Sequence, residues 1–119
     1  MFATAEGQVV TKAAVAAADH LGLSARSLAA VIGVSEASVS RMKRLDHRLE
    51  KGTKPFELAL LLIRLFRSLD AICGGDEAVA RSWLRNSNTA LGGPPAQLIA
   101  TVSGLTDVLA YLDARRALV

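Results

Sequence analysis

Aromatic side chains are scarce in this sequence: three Phe, one Trp and one Tyr in 119 residues. Sheet proteins draw on aromatic and β-branched residues for their strands. Here Ala and Leu dominate, and Val and Ile come mostly singly or in pairs, which favours helix. Cysteine is nearly absent as well. Cys73 is the only one, so no intrachain disulfide can form and no thiolate metal site is expected. It closes an apolar run in DAICGG and reads as a small buried hydrophobe rather than a reactive thiol. The apolar run at residues 58–63 is six residues long, far short of the roughly 20 that span a bilayer. The start lacks the basic n-region and apolar middle of a signal peptide. A cytoplasmic protein with no membrane partner is therefore expected.

Groups for catalysis are equally thin. His20 and His47 stand apart, with no Cys, Ser-base or carboxylate partner at a recognisable spacing. His20, near the end of an apolar-patterned run, reads as a helix cap rather than a base. The glycine pairs at 74–75 and 92–93 read as helix breaks, not as a phosphate cradle. The expectation is a protein that is not an enzyme: no catalytic residue, no cofactor, no metal and no small-molecule substrate.

What is present is helix periodicity and one local concentration of charge. Net charge is only +3, yet residues 41–54 hold six cations (Arg41, Lys43, Arg44, Arg48, Lys51, Lys54) against two acids (Asp46, Glu50), a local balance of +4. Such a patch attracts phosphates even on a nearly neutral protein, although a charge run can also be a solvated face.

Along the chain, residues 1–7 are expected to be loosely attached. Val10, Ala13, Ala14, Ala17 and Leu21 then fall on one helix face, and Gly22 stops that helix. Ser24 is a candidate N-cap for a helix of about eight residues, ended by Gly33. Ser35 caps the next, from Glu36 to about Arg44. A polar stretch leads to Pro55, which suits a first helical turn with Thr53 or Lys54 at the cap. The helix over residues 56–73 carries two apolar stripes. One is Phe56, Ala59, Leu60, Ile63 and Phe66; the other is Leu58, Leu61, Leu62, Leu65, Leu69 and Ile72. A helix that apolar is central or partly covered by another subunit, so a homodimer is expected. Asp76 caps a helix to about Leu84, Pro94 or Pro95 opens a short one, and a last helix is predicted after Gly104. The predicted fold is all-α: an N-terminal helix-turn-helix bundle over residues 8–53, then a small helical domain over 54–119, sharing the long central apolar helix.

Residues 28–44, LAAVIGVSEASVSRMKR, fit a helix-turn-helix. Ala29 is small where the two helices meet. Gly33 tolerates positive φ in the turn. Leu28 and Ile32 oppose Val34, Val39 and Met42. The outward positions are Ser35, Glu36, Ala37, Ser38, Ser40 and Arg41, short enough to enter a major groove, with Lys43 and Arg44 leading toward the DNA backbone. The alternative is a scaffold that no longer reads DNA. This segment resembles the Xre family of repressor-like DNA-binding domains.

Downstream, Trp83-Leu84, Asn88, Ala90-Leu91-Gly92, Pro95, Leu98, Thr101, Val108 and Leu112 follow one another in an order similar to the C-terminal domain of the Xre/MbcA/ParS antitoxins. Two positions depart from that pattern: Ser87 stands where a Pro is usual, and the last helix and tail lack a usual Gly. The resemblance implies an antitoxin of a type II toxin–antitoxin pair and a transcriptional repressor of its own operon. Its implied partners are operator DNA and a RES-domain toxin, an NAD-consuming enzyme whose pocket the antitoxin obstructs. The residues allow such docking through Tyr111, Leu112, Arg115, Arg116, Leu118 and Val119, where the cations can meet acids and the Val119 carboxylate can mimic an anion. Trp83, Leu91, Leu98, Leu105, Val108 and Leu109 are expected to pack in the core, and Asn88 to bond its own loop. Two other readings stay open: a plain dimeric repressor without a toxin, and an inhibitor that has lost DNA binding.

Overall fold

Each predicted helix forms, and its caps show why. In a computed structural model describing residues 5–118, seven helices and no strand occur among the described residues. They are α1 (Ala5–Leu21), α2 (Ala25–Ile32), α3 (Glu36–Lys43), α4 (Lys54–Ile72), α5 (Glu77–Arg85), α6 (Pro95–Leu98) and α7 (Val102–Arg116). Ser24, Ser35, Thr53, Asp76 and Thr101 stand at N-caps, each side chain accepting a backbone N–H of the first turn. Gly33 ends α2 in the left-handed region at φ 74°.

Helix α4 lies at the centre and packs against α1 and α2 of the first half and α7 of the second. Phe56, Leu62, Ile63, Leu65 and Leu69 are buried on it. Burial of five such side chains contributes on the order of 10 kcal/mol before entropy is charged against it. The two apolar stripes thus find most of their cover inside the chain, and Leu60 alone among them is exposed. A homodimer no longer follows from the stripes.

Two boundaries differ from the sequence expectation. Residues 5–7 belong to α1, while 1–4 lie outside the described residues. Gly7 is buried there, and the Thr11 hydroxyl donates to its carbonyl at 2.6 Å. The last helix begins before Gly104, not after it, because Thr101 caps it by accepting the Gly104 N–H at 3.1 Å. Gly104 is small for space: a Cβ there would overlap the Leu98 carbonyl.

Gly22 ends α1 as expected, at φ 71°, with the Gly22 N–H donating to the Asp19 carbonyl and the Leu23 N–H to the Ala18 carbonyl, but His20 does not cap it. Arg81, from α5, adds to this end: Nε donates to the His20 carbonyl at 3.1 Å and Nη2 to the Asp19 carbonyl at 2.7 Å. His20 turns its ring onto Phe66, centroids 5.1 Å apart, with Nδ1 3.4 Å from the Glu77 carboxylate.

Thr11 does a second job. Its Oγ accepts the backbone N–H of Leu49 at 2.9 Å, pinning the α3–α4 loop to α1, and Lys51 pairs with Glu6 beside it. Replacing Thr11 with Val keeps shape but strands a buried amide, so unfolding in urea should show a loss of about 1–3 kcal/mol. Gly→Ala inside a helix ordinarily stabilises by up to about 1 kcal/mol. Gly104→Ala should do the reverse, lowering stability by about 2 kcal/mol because the Leu98 carbonyl must move; thermal unfolding reads the sign.

Candidate DNA and partner-binding faces

Two faces of the molecule, one on α3 and one on α7, carry the predicted site residues. On α3, Val39 and Met42 are buried and hold the helix against the bundle. That orients Ser35, Glu36, Ala37, Ser40, Arg41, Lys43 and Arg44 outward, all exposed, with Ser38 half-buried. The serines do not all wait for a ligand. Ser35 Oγ accepts the Ser38 N–H at 3.0 Å and donates to Ser38 Oγ at 3.0 Å, and Arg41 Nη2 donates to that same Ser38 hydroxyl at 3.1 Å. The relay steers the Arg41 side chain along the helix. Ser40 keeps the one serine hydroxyl of α3 without a hydrogen bond among the described residues.

The basic stretch is smaller in effect than its count. Arg44 pairs with Asp46 at 3.4 Å, Lys51 with Glu6 at 3.1 Å and Lys54 with Glu57 at 3.5 Å. Arg41, Lys43 and Arg48 form no ion pair among the described residues. Arg48 belongs to the basic run and lies outside the face expected from the sequence. It lines a groove of about 390 Å³ with Ser35, Ser38 and His47, beside the start of α3. Only the fold of the α3–α4 loop brings it there.

On the second face, α7 is fixed to α4 by more than apolar contact. The buried Ser68 hydroxyl donates to Asp113 Oδ1 at 2.9 Å, and Arg64 Nη2 reaches Asp113 Oδ2 at 3.0 Å. Leu112, expected at the docking surface, is instead 1% exposed and packs in the core that holds α7 down. Arg115, Arg116 and Leu118 are exposed, Leu118 at 87%, and Val119 lies outside the described residues. Tyr111 is half-buried. Its ring stacks on Trp83 with centroids 6.1 Å apart, and Arg115 sits over it at 5.4 Å while donating to its hydroxyl at 3.2 Å. Tyr111 and Arg115 are four apart, a pairing that helix periodicity alone could have suggested. Trp83 joins them only through the packing of α5 near α7, and it also lines a groove of about 490 Å³ with Val79 and Ser82.

The remaining residues are structural. Leu105, Val108 and Leu109 are buried, and Trp83, Leu91 and Leu98 are partly buried against the same core. Asn88 closes its own loop, Oδ1 accepting the Leu91 N–H at 3.2 Å and its N–H donating to the Gly93 carbonyl at 3.1 Å. Partial burial, then the carboxylates of Asp76 and Asp70, push the Cys73 thiol above its ordinary value, so it stays protonated at neutral pH.

Comparison with known families adds the assignment. A family model described as the antitoxin Xre-like helix-turn-helix domain matches residues 3–64, and one described as the antitoxin Xre/MbcA/ParS C-terminal toxin-binding domain matches residues 68–117. No curated protein matches the chain. The two matches follow one another along the chain and meet within α4. A helix-turn-helix joined in this way to a toxin-binding domain makes the chain a member of the Xre/MbcA/ParS antitoxin family.

Proposed function

We propose that this antitoxin neutralises a RES-domain toxin, an NAD-consuming enzyme, by covering its active site, and that it represses its own operon in the cytoplasm as a homodimer. The observation that supports a divided role is the pair of outward faces on one body. The first is α3, turned out by the burial of Val39 and Met42. The second is the end of α7, held firmly as far as Asp113 and exposed beyond it. Residues 8–53 are assigned to DNA and 54–119 to the toxin. The dimer rests on operator geometry, since paired helix-turn-helix units read half-sites one helical turn apart.

In this reading Ser40 and Arg41 meet base edges, and Lys43, Arg44 and the serine-capped start of α3 meet phosphates. Tyr111, Arg115, Arg116 and Leu118 meet the toxin, with Val119 beyond the described residues. Arg115 is the better-prepared anchor, because its stack on Tyr111 removes much of the entropy a free arginine would lose on docking. Leu112 works behind them, keeping α7 in place.

The test begins with co-expression of the chain and the product of the adjacent reading frame; joint elution is expected. Deleting residues 115–119, beyond the Asp113 anchor, should leave the thermal midpoint within about 2 °C and abolish joint elution. By contrast, Leu112→Ala should lower stability by about 2–5 kcal/mol, as a core truncation does. A plain repressor would elute alone in every case. For the DNA role, replacing Arg41, Lys43 and Arg44 with Ala together should weaken promoter binding. It should also flatten the salt dependence by about one unit of slope per lost phosphate contact. An unchanged slope would favour an inhibitor that does not use DNA.

A further inference from the structure

Wherever else the described backbone enters the left-handed region, it does so at a glycine: Gly22, Gly33, Gly52, Gly74, Gly75 and Gly92. Leu45 is the exception, at φ 64°. It follows the last residues of α3 and closes that helix, its N–H donating to the Met42 carbonyl at 3.1 Å while the Asp46 N–H donates to the Arg41 carbonyl at 2.8 Å. This is the helix-ending loop in which glycine is the usual residue. The chain has placed a branched apolar side chain there instead, against the steric preference of L-residues.

The monomer does not compensate for it. Leu45 is 54% exposed and lies outside the core cluster. Its chain neighbours Arg44 and Asp46 pair across it at 3.4 Å, and the α3 cations Arg41 and Lys43 just before it are free of ion pairs among the described residues. A strained, exposed, apolar side chain at a functional edge is a residue whose use is outside its own chain.

Resting on the DNA-binding reading of α3, we propose that Leu45 is a DNA contact, its methyl groups packing on the apolar part of the duplex, a deoxyribose or a thymine methyl. The cations beside it supply affinity from phosphates; Leu45 adds contact that releases no counterion.

The experiment uses the full chain and a duplex carrying the region upstream of its own reading frame, titrated by fluorescence anisotropy over a salt series. Leu45→Ala should lower affinity about fivefold at every salt concentration, the ratio expected when the exposed part of a leucine stays in water. The salt slope should be unchanged, unlike the slope of Lys43→Ala. Leu45→Gly should lower affinity to the same extent while raising the thermal midpoint by about 4 °C, as the backbone is freed. Wild-type affinity in either variant overturns the proposal, and so does a changed salt slope. A shift of oligomeric state in Leu45→Ala, seen by sedimentation, also overturns it and places Leu45 between copies of the chain. If the wild-type chain binds no duplex, the DNA reading falls and this contact with it. If the wild type binds and both variants bind equally well, only the contact falls.

Discussion

The rest of the structure depends on the burial of α4. This one helix presents apolar side chains on more than half its circumference, and neither half of the chain can cover it alone. Helices α1 and α2 take one part of its surface and α7 another. Short helices such as α2 and α3, at eight residues each, are too short to persist in water without tertiary support. They stand because Leu28, Ile32, Val39 and Met42 reach the core that α4 anchors. The same holds for α7. Its face toward α4 is buried through Leu105, Val108, Leu109 and Leu112, and past Asp113 the helix is exposed, with Arg116 still reaching the Ser68 hydroxyl at 3.5 Å.

A second constraint joins the two halves away from α4. The C-terminal carbonyls of α1 have no partners within their own helix. Arg81 of α5 satisfies two of them, and Glu77 is within reach of both Arg81 and His20. Gly22 is required here twice over: its φ of 71° suits glycine, and a Cβ would press on the Arg81 side chain at 3.1 Å. The consequence is a chain whose DNA-facing and partner-facing regions share one packed body. The meeting of the two family matches inside α4 has its physical counterpart in this sharing.

Much of this was legible in the sequence, and the failures have causes. Caps at Ser24, Ser35, Thr53 and Asp76 could be read because a capping side chain acts within three residues of itself. The turn at Gly33 and the inward set Leu28, Ile32, Val39 and Met42 could be read because helix periodicity is local. Gly104 was misread as a boundary because a glycine demanded by space looks the same in sequence as one demanded by φ. Arg81 at the end of α1 was invisible, since sixty residues separate donor and acceptor. The two apolar stripes do not by themselves require a second subunit, since α7 supplies part of the surface that covers them. Leu112 was named for docking because it sits in a tail of mixed character. Its spacing from Leu105, Val108 and Leu109 places it on the buried face, and that periodicity outweighs its position near the end.

Charge shows most clearly why counting residues and placing them differ. The basic stretch contributes +4 over residues 41–54, but Glu6 and Glu57, from outside it, and Asp46, from within it, each meet one of its cations. Exposed pairs of this kind are worth little to stability. Their effect is on the field, because a cation already beside a carboxylate releases less counterion when a phosphate arrives. Arg41, Lys43 and Arg48 keep their full charge, and all three belong to α3 or to the loop after it. Within residues 41–54, the cations left without a carboxylate are therefore those of α3 and the loop after it, while Lys51 and Lys54, nearer α4, are paired. A protein of net charge +3 can favour a duplex only through such placement, since its long-range attraction is small at physiological salt. In the proposed DNA-binding role, the Ser35–Ser38–Arg41 relay and the free cations beside it would direct α3 onto a duplex, a local arrangement that the overall charge of the molecule does not reveal.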